Sequence, residues 1–392
     1  MLNFEWHIPT RFVFGRDAEL KAGETIRRLG GTKVLLHFGG GSAVKSGLID
    51  RVEKSVLDAG LHCVKLGGVQ PNPRDEKIYE GIELARAQGV DFVLAVGGGS
   101  TIDSAKAIAD GVCYDGDFWD FFSGKALPQK ALPVGVVLTL AAAGSESSNS
   151  AVITQAATKT KRGLNHELHR PQFALMNPEL TMTLPAYQTA CGLVDMMAHI
   201  LERYFTDVED VDVTDRIAEG LLMTIIRAGR AAIKDPMDYD ARAQLMWSGT
   251  LAHNNTCGVG RQGDWASHQI EHELSALYDV AHGAGLAVVL PAWMRFVYKH
   301  NPMRFAQLAT RVWGCQMDFE YPERAALLGI EQFEAFIREI GMPLTLRELG
   351  ARSEDIPFMA GNTKKNNADK TGFFMPLSTE QIEEVLRLAD RP

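Results

Sequence analysis

The sequence predicts an α/β fold: a doubly wound parallel sheet that binds a dinucleotide in the N-terminal part, joined to an all-α metal-binding part. Three observations predict it. From about residue 30 to 140, short β-branched or aliphatic runs alternate with amphipathic stretches; two of those runs end in glycine triplets; and after Pro185 apolar residues recur at helical spacing without a convincing strand. A chain of 392 residues also exceeds the size at which one hydrophobic core stops growing, so two domains are expected.

The elements follow in chain order. MLNFEWHIPTRFVFG has the alternation of a folded strand and lacks the basic and apolar regions of a secretory signal, which predicts a cytoplasmic location. TKVLLHF (32–38), LHCVKLGG (61–68), DFVLAVGG (91–98) and LPVGVVLTL (132–140) read as strands. The last two are nearly continuous in apolar residues, as parallel strands covered on both faces must be. GLIDRVEKSVLDAG and RDEKIYEGIELARAQG carry helical spacing between them. Ligands of such a sheet bind at the C-terminal ends of its strands. The turn-rich NPELTMTLP (177–185) is the natural junction, giving domains 1–184 and 185–392. Beyond it, YQTACGLVDMMAHILERYF, VTDRIAEGLLMTIIRAGRAAI and 331–349 are helical, while 349–378 has the polarity of a surface loop or short-helix region.

Composition excludes several functions. With 46% hydrophobic and 23% charged residues, the chain is that of a soluble globular protein, and no stretch approaches the roughly 20 apolar residues of a membrane span. Net charge is −9 without a basic stripe, so no nucleic-acid footprint exists. Five cysteines without a CxxC pair argue against a disulfide framework or zinc knot. Small molecules are the expected ligands.

FGGGS (38–42) and VGGGSTIDSAK (96–106) stand where a strand hands over to a helix. There glycine lets backbone N–H groups approach a phosphate, and the helix N-terminus adds positive dipole. Either loop alone is equally a packing turn; two at equivalent places point to a pyrophosphate. Neither G-x-G-x-x-G nor a P-loop is present. FGGGSAVKSG offers Ser42 and Lys45 with no acid before Asp50, so a 2′-phosphate meets no repulsion and NADP(H) is expected over NAD(H). Lys45 reads equally as a solvated helix-face residue.

Asp195 and His199 are four apart on a predicted helix, as are His268 and His272, with His282 ten residues further. Three histidines with one carboxylate make a four-ligand set suited to zinc or iron(II). The metalloprotease H-E-x-x-H is excluded: Glu271 follows His268 by three residues, which turns it off the ligand face and away from a general-base role. No serine has a G-x-S-x-G context, AAAGSES at 141–147 included.

With phosphate loops in one half and D-x-x-x-H plus H-x-x-x-H…H in the other, the sequence resembles the iron-containing (group III) alcohol dehydrogenase family over nearly its whole length. PTRFVFG, FGGGS, PNP (71–73), AVGGGSTIDSAK, GSE (144–146), AVIT (151–154), VDMMAH and DWASHQIEHELSALYDVAHGAGLAVVLP carry the resemblance. Its butanol dehydrogenase and NADPH-dependent aldehyde reductase branch is the most similar. The resemblance implies metal ligation by Asp195, His199, His268 and His282, with His272 beside the nicotinamide as a proton relay or a shaper of the cleft. It implies cofactor contacts at Gly39, Gly40, Ser42, Asn72, Gly98, Gly99, Ser100, Asp103, Thr139, Leu140, Ser148 and Lys161, with Asp103 joining His272 as a catalytic candidate. Reduction of short-chain aldehydes to primary alcohols by NADP(H) and a homodimer are implied too. The family's TxPxTGSE reads TLAAAGSE here, with Ala141 for proline and Ala143 for threonine, and Ser148 replaces an asparagine, which bears on cofactor affinity. The alternatives are a chain similar to glycerol dehydrogenase or dehydroquinate synthase, or a protein that holds metal and nucleotide without turnover.

Overall fold

The computed structural model describes residues 1–142 and 144–391. Its strands are β1 (Arg11–Phe14), β2 (Lys33–Gly39), β3 (His62–Val69), β4 (Phe92–Gly97), β5 (Val134–Leu138), β6 (Ser150–Gln155), β7 (Thr160–Asn165) and β8 (Phe173–Met176). Six of them form one sheet in the order β1-β8-β5-β4-β2-β3, every pairing parallel; β6 and β7 form a separate antiparallel hairpin. Helices α1 (Ala22–Arg28), α2 (Ser42–Lys45), α3 (Leu48–Asp58), α4 (Asp75–Gln88), α5 (Gly99–Val112) and α6 (Trp119–Phe122) lie between the strands in sequence.

The two-residue period of a strand sorts the sheet's side chains into two cores. Leu35, Val93, Ala95 and Val136 pack with Ile78 and Ile82 of α4 and Ile102 and Ile108 of α5. Val34, Leu36, Leu94 and Val137 pack with Ile26 of α1 and Ile49, Val52 and Val56 of α3. Both faces are covered, so every residue of β4 and β5 is buried, and the uninterrupted apolar runs are explained.

The remaining helices are α7 (Ala186–Tyr204), α8 (Asp212–Lys234), α9 (Tyr239–His253), α10 (Ala266–Tyr278), α11 (His282–Val297), α12 (Pro302–Trp313), α13 (Pro322–Glu339), α14 (Ile356–Asn362) and α15 (Thr379–Ala389). Among the described residues after Pro185, β structure is limited to the isolated bridges Asn367–Lys370 and Thr371–Leu377. The chain divides into a sheet unit, His7–Leu184 with Met237–Thr250, and a helical unit, Met1–Trp6 with Pro185–Pro236 and Leu251–Pro392. The division after Leu184 thus comes with two exchanged segments that no linker composition announces. Trp247 explains one of them, lying edge-on to Phe12 at 5.3 Å within the sheet unit. In the N-terminal stretch only Arg11–Phe14 is a strand; Pro9 has no N–H to give a ladder, and Leu2 N–H donates to Gly260 O.

Candidate active site

In the sheet unit, β4 ends at Gly97 and α5 begins after Gly98. A Cβ on Gly97 would lie 2.4 Å from Thr101 Oγ1, and one on Gly98 would lie 2.9 Å from Leu140 Cβ, so the tight turn requires both glycines. A Cβ on Gly99 would meet nothing within 4 Å, which leaves the helix end open to a ligand. Thr101 and Ile102 N–H groups turn back to Gly98 O, so the donors aimed beyond the helix are those of Gly99 and Ser100. Thr139 N–H donates to Gly97 O at 3.1 Å, which sets Thr139 and Leu140 beside this turn. Asn72, in the left-handed conformation at φ 51° that asparagine tolerates, accepts from Lys161 Nζ at 3.1 Å. Gly39 closes β2, and Gly40, Ser42 and Lys45 are exposed beyond it.

Two residues expected at the cofactor have partners within the chain. Ser148 is buried, and its hydroxyl lies 3.4 Å from Lys106 Nζ. Asp103 accepts from Ser145 Oγ at 2.5 Å and from Val152 N–H at 3.0 Å, so both its oxygens hold the 145–152 segment; burial pushes its pKa up. Of the departures from the family pattern, Ala141 packs partly buried against the core beside α5, and Ala143 lies outside the described residues.

In the helical unit, α7, α10 and α11 assemble the metal-type donors. Asp195, His268 and His282 form a group whose ligand atoms all lie within 4.8 Å of one another. His199 adjoins it: its Nε2 is 3.4 Å from Asp195 Oδ1 and its ring centroid 4.6 Å from that of His268. His272 stands outside the group with Asp195, its ring 5.8 Å from His282, and joins Glu271 and His282 in a second cluster. Glycine permits this approach of helices. A Cβ on Gly283 would fall 2.1 Å from Cys191 O of α7, and one on Gly285 would fall 2.6 Å from Glu271 Oε1 of α10.

The supporting groups were not predicted. Glu202, fully buried, accepts from His268 Nδ1 and the His268 backbone N–H at 3.0 Å each, from Trp265 N–H at 2.7 Å, and from Ser267 Oγ. With Nδ1 engaged, His268 keeps its buried Nε2 without a hydrogen-bond partner among the described residues; His199 Nδ1 is in the same position. Glu271 does the equivalent for His282, its carboxylate against Nδ1, with Ser275 Oγ on its other oxygen. The expectation that Glu271 turns away from the site is therefore corrected: α11 starts against α10 and brings His282 to it. Trp265 adopts the left-handed φ of 68°, strained for so bulky a residue, with its ring 5.7 Å from His199 and 5.3 Å from His268 and the Arg203 guanidinium 4.5 Å over it. The His253 ring lies 4.0 Å from that of His199, tilted by 46°. Burial first, then the cationic potential of His253, His268, Arg203 and His282, holds His199 well below the usual histidine range, so its imidazole is neutral and able to donate a lone pair. Three imidazoles and one carboxylate, with His268 and His282 oriented from behind by Glu202 and Glu271, fit a divalent cation. Glu202 had a signal in the sequence, since it follows Asp195 and His199 at i+7 and i+3 on the same helical face; Trp265 and His253 had none.

Comparison with known proteins agrees with this arrangement. The chain matches the family models for iron-containing alcohol dehydrogenase over residues 9–178 and for the C-terminal part of the Fe-containing alcohol dehydrogenase family over residues 189–389. It is 41% identical to the probable NADH-dependent butanol dehydrogenase 1 of Bacillus subtilis over 387 residues, 99% of each chain. It is 37% identical to the NADPH-dependent aldehyde reductase YqhD of Escherichia coli over 378 residues, 95% of each. The crystal structure of NADH-dependent butanol dehydrogenase A from Thermotoga maritima superposes with a TM-score of 0.96 at 43% identity, covering 100% of this chain and 99% of that one. Since matches of this extent take in both the nucleotide-type loops and the histidine-bearing helices, the chain belongs to the iron-containing alcohol dehydrogenase family and is a metal-dependent, NAD(P)-linked oxidoreductase acting on CH–OH.

Proposed function

We propose that the chain interconverts short-chain aldehydes and primary alcohols, butanal and butanol among them, using NADP(H) and one divalent cation, iron(II) or zinc. Asp195, His199, His268 and His282 would hold the cation. The observation that carries this reading is the Asp195–His268–His282 donor group, its first two members buried and His282 partly exposed, with Glu202 and Glu271 fixing the far nitrogens of both histidines. A cation there supplies Lewis-acid polarisation of the aldehyde oxygen, and the nicotinamide supplies the hydride.

The protein's own residues bind, orient and move the proton. The N–H groups of Gly99 and Ser100 and the α5 dipole receive the pyrophosphate. Asn72 and Lys161, already hydrogen-bonded to each other, form a second polar patch for the nucleotide. His272, 8% exposed and outside the Asp195 group, exchanges a proton with the substrate oxygen directly or through water. Asp103 acts through the segment it holds. The preference for NADP(H) is supported by the stretch from Gly39 to Lys45, which presents Ser42 and Lys45 and no carboxylate to a 2′-phosphate; the named relatives include users of each nicotinamide. A cytoplasmic homodimer completes the proposal; among the described residues no helix is long and apolar enough to cross a membrane.

Elemental analysis of the purified protein, combined with butanal reduction by NADPH and by NADH, tests the proposal. One bound cation per chain and a higher kcat/KM with NADPH are expected. A His268→Ala protein that holds no metal yet turns over at the original rate would defeat it.

A further inference from the structure

The sequence of α5 hides a polar stripe inside the sheet unit. Asp103, Lys106 and Asp110 stand at i, i+3 and i+7, one face of the helix, and Lys106 and Asp110 are at most 1% exposed. All three grip the polypeptide that follows β5, Asp103 and Lys106 sharing Ser145 and Asp110 reaching His169. Lys106 Nζ lies 2.7 Å from Ser150 O, 2.8 and 2.9 Å from Ser145 O and Oγ, and 3.2 and 3.4 Å from Ser148 O and Oγ. Asp103 takes Ser145 Oγ and Val152 N–H. Asp110 Oδ2 meets His169 Nε2 at 2.6 Å, and the neighbouring Arg170 donates to Ser147 O at 2.9 Å. Residues 144–149 have no ladder of their own, and the carbonyls of Ser145, Ser147 and Ser148 are met by these side chains. Burying an ammonium is costly, and an apolar side chain would pack the same space without that penalty. A lysine here is explained by what it holds: two carbonyls of an irregular segment, Ser145 O and Ser148 O, and Ser150 O at the start of β6, fixed to the same helix whose first turn offers Gly99 and Ser100.

We infer that Lys106 is a positioning residue for nucleotide binding: its ammonium ties residues 144–150 to α5, so that the segment and the Gly98–Ser100 turn form one rigid cradle. This rests on the proposed use of a nicotinamide nucleotide at that turn. The polar stripe also gives Asp103 its role, as the partner that orients Ser145 toward Lys106.

Lys106→Met keeps an unbranched apolar stem as far as the Cε position and removes the ammonium with its donors. Amide hydrogen exchange of the nucleotide-free protein, NADPH titration by fluorescence, and steady-state kinetics with butanal read the result. Exchange at residues 145–152 should rise about tenfold or more while β2 is unchanged, as expected when a charged hydrogen-bond donor to buried carbonyls is lost. The dissociation constant and KM for NADPH should rise about tenfold, with kcat kept within about threefold. Unchanged exchange in a folded variant, or faster exchange with unaltered NADPH affinity, overturns the inference. Equal loss of kcat and kcat/KM at constant NADPH affinity overturns it as well. If Lys106→Met fails to fold, Lys106→Gln, which retains two donors, is judged on the same readouts. A wild-type protein that binds neither NADPH nor NADH would sink the functional reading instead, and exchange alone would then decide whether the clamp exists.

Discussion

Glu202→Gln is the sharpest probe of the metal-type centre, because the side chain keeps its shape and the change is confined to charge and donor pattern. The carboxylate accepts from four groups at once: Trp265 N–H, His268 N–H, His268 Nδ1 and Ser267 Oγ. An amide has one acceptor oxygen, so its NH2 must face either Trp265 N–H, which Oε2 accepts, or the three donors on Oε1, Ser267 Oγ, His268 N–H and His268 Nδ1. If it faces Nδ1 of His268, that nitrogen becomes the acceptor and the ring proton moves to Nε2, the atom that is buried without a partner and would ligate the proposed cation. Loss of such an orienting group lowers metal affinity by about 10- to 100-fold, which is about 1.4–2.8 kcal/mol. The assay is competition between metal-free protein and a chelator of known affinity, for zinc and for iron(II) under anaerobic conditions. Melting of the metal-free variant measures separately what the lost backbone contacts contribute. An affinity within twofold of the wild type would refute the claim that Glu202 sets the tautomer of His268.

Three further outcomes are expected. His37 is fully buried between Leu66 O and Ser104 Oγ, and burial lowers its pKa from 6.5 to about 4. The unfolded chain therefore takes up a proton first, stability is full above pH 6.5 and is lost as pH falls toward 4, and His37→Gln should remove about 2 kcal/mol of the acid loss between pH 6.5 and 5, read by urea unfolding. Asp215 bridges Arg261 and Arg304 at 2.5 Å each in the helical unit; burial alone would raise its pKa, but the two guanidiniums and Gln307 hold it below 3.8. Asp215→Asn should destabilise by about 3–5 kcal/mol at neutral pH, because two guanidiniums lose their shared carboxylate, and the wild type should lose this advantage only as pH falls below 3.8. Gly39→Asp places a carboxylate where a Cβ meets nothing closer than Val69 O at 3.6 Å, so the NADPH-to-NADH ratio of kcat/KM should fall about tenfold or more; an unchanged ratio would remove the basis for preferring NADP(H).

Much of the fold was written in the spacing of apolar residues. β4 and β5 show as unbroken runs because helices cover both sheet faces, and the long helices past Pro185 repeat at their own period. The four-residue β8 and the β6–β7 hairpin escaped notice, since four residues carry too little alternation and TKRGLN reads as polar turn. Strand order and the transfer of Met237–Thr250 to the sheet unit depend on distant contacts, such as Trp247 with Phe12, that local pattern does not encode.

The site divides along the same line. A four-residue spacing states that Asp195 and His199 share a helix face, and the same logic extended to i+7 reaches Glu202. It fails at Glu271, because position on α10 tells which way a side chain leaves its own helix and says nothing of what arrives from another. His282 reaches Glu271 only because Gly283 and Gly285 let α11 close on the Cys191 carbonyl of α7 and on Glu271 of α10 at distances no Cβ would allow. Those two glycines punctuate the sequence as a break, yet in the folded chain they lie inside the first turn of a helix. Their information is steric: they state how near two other helices must come, and hence that the histidine preceding them belongs to a site built from three.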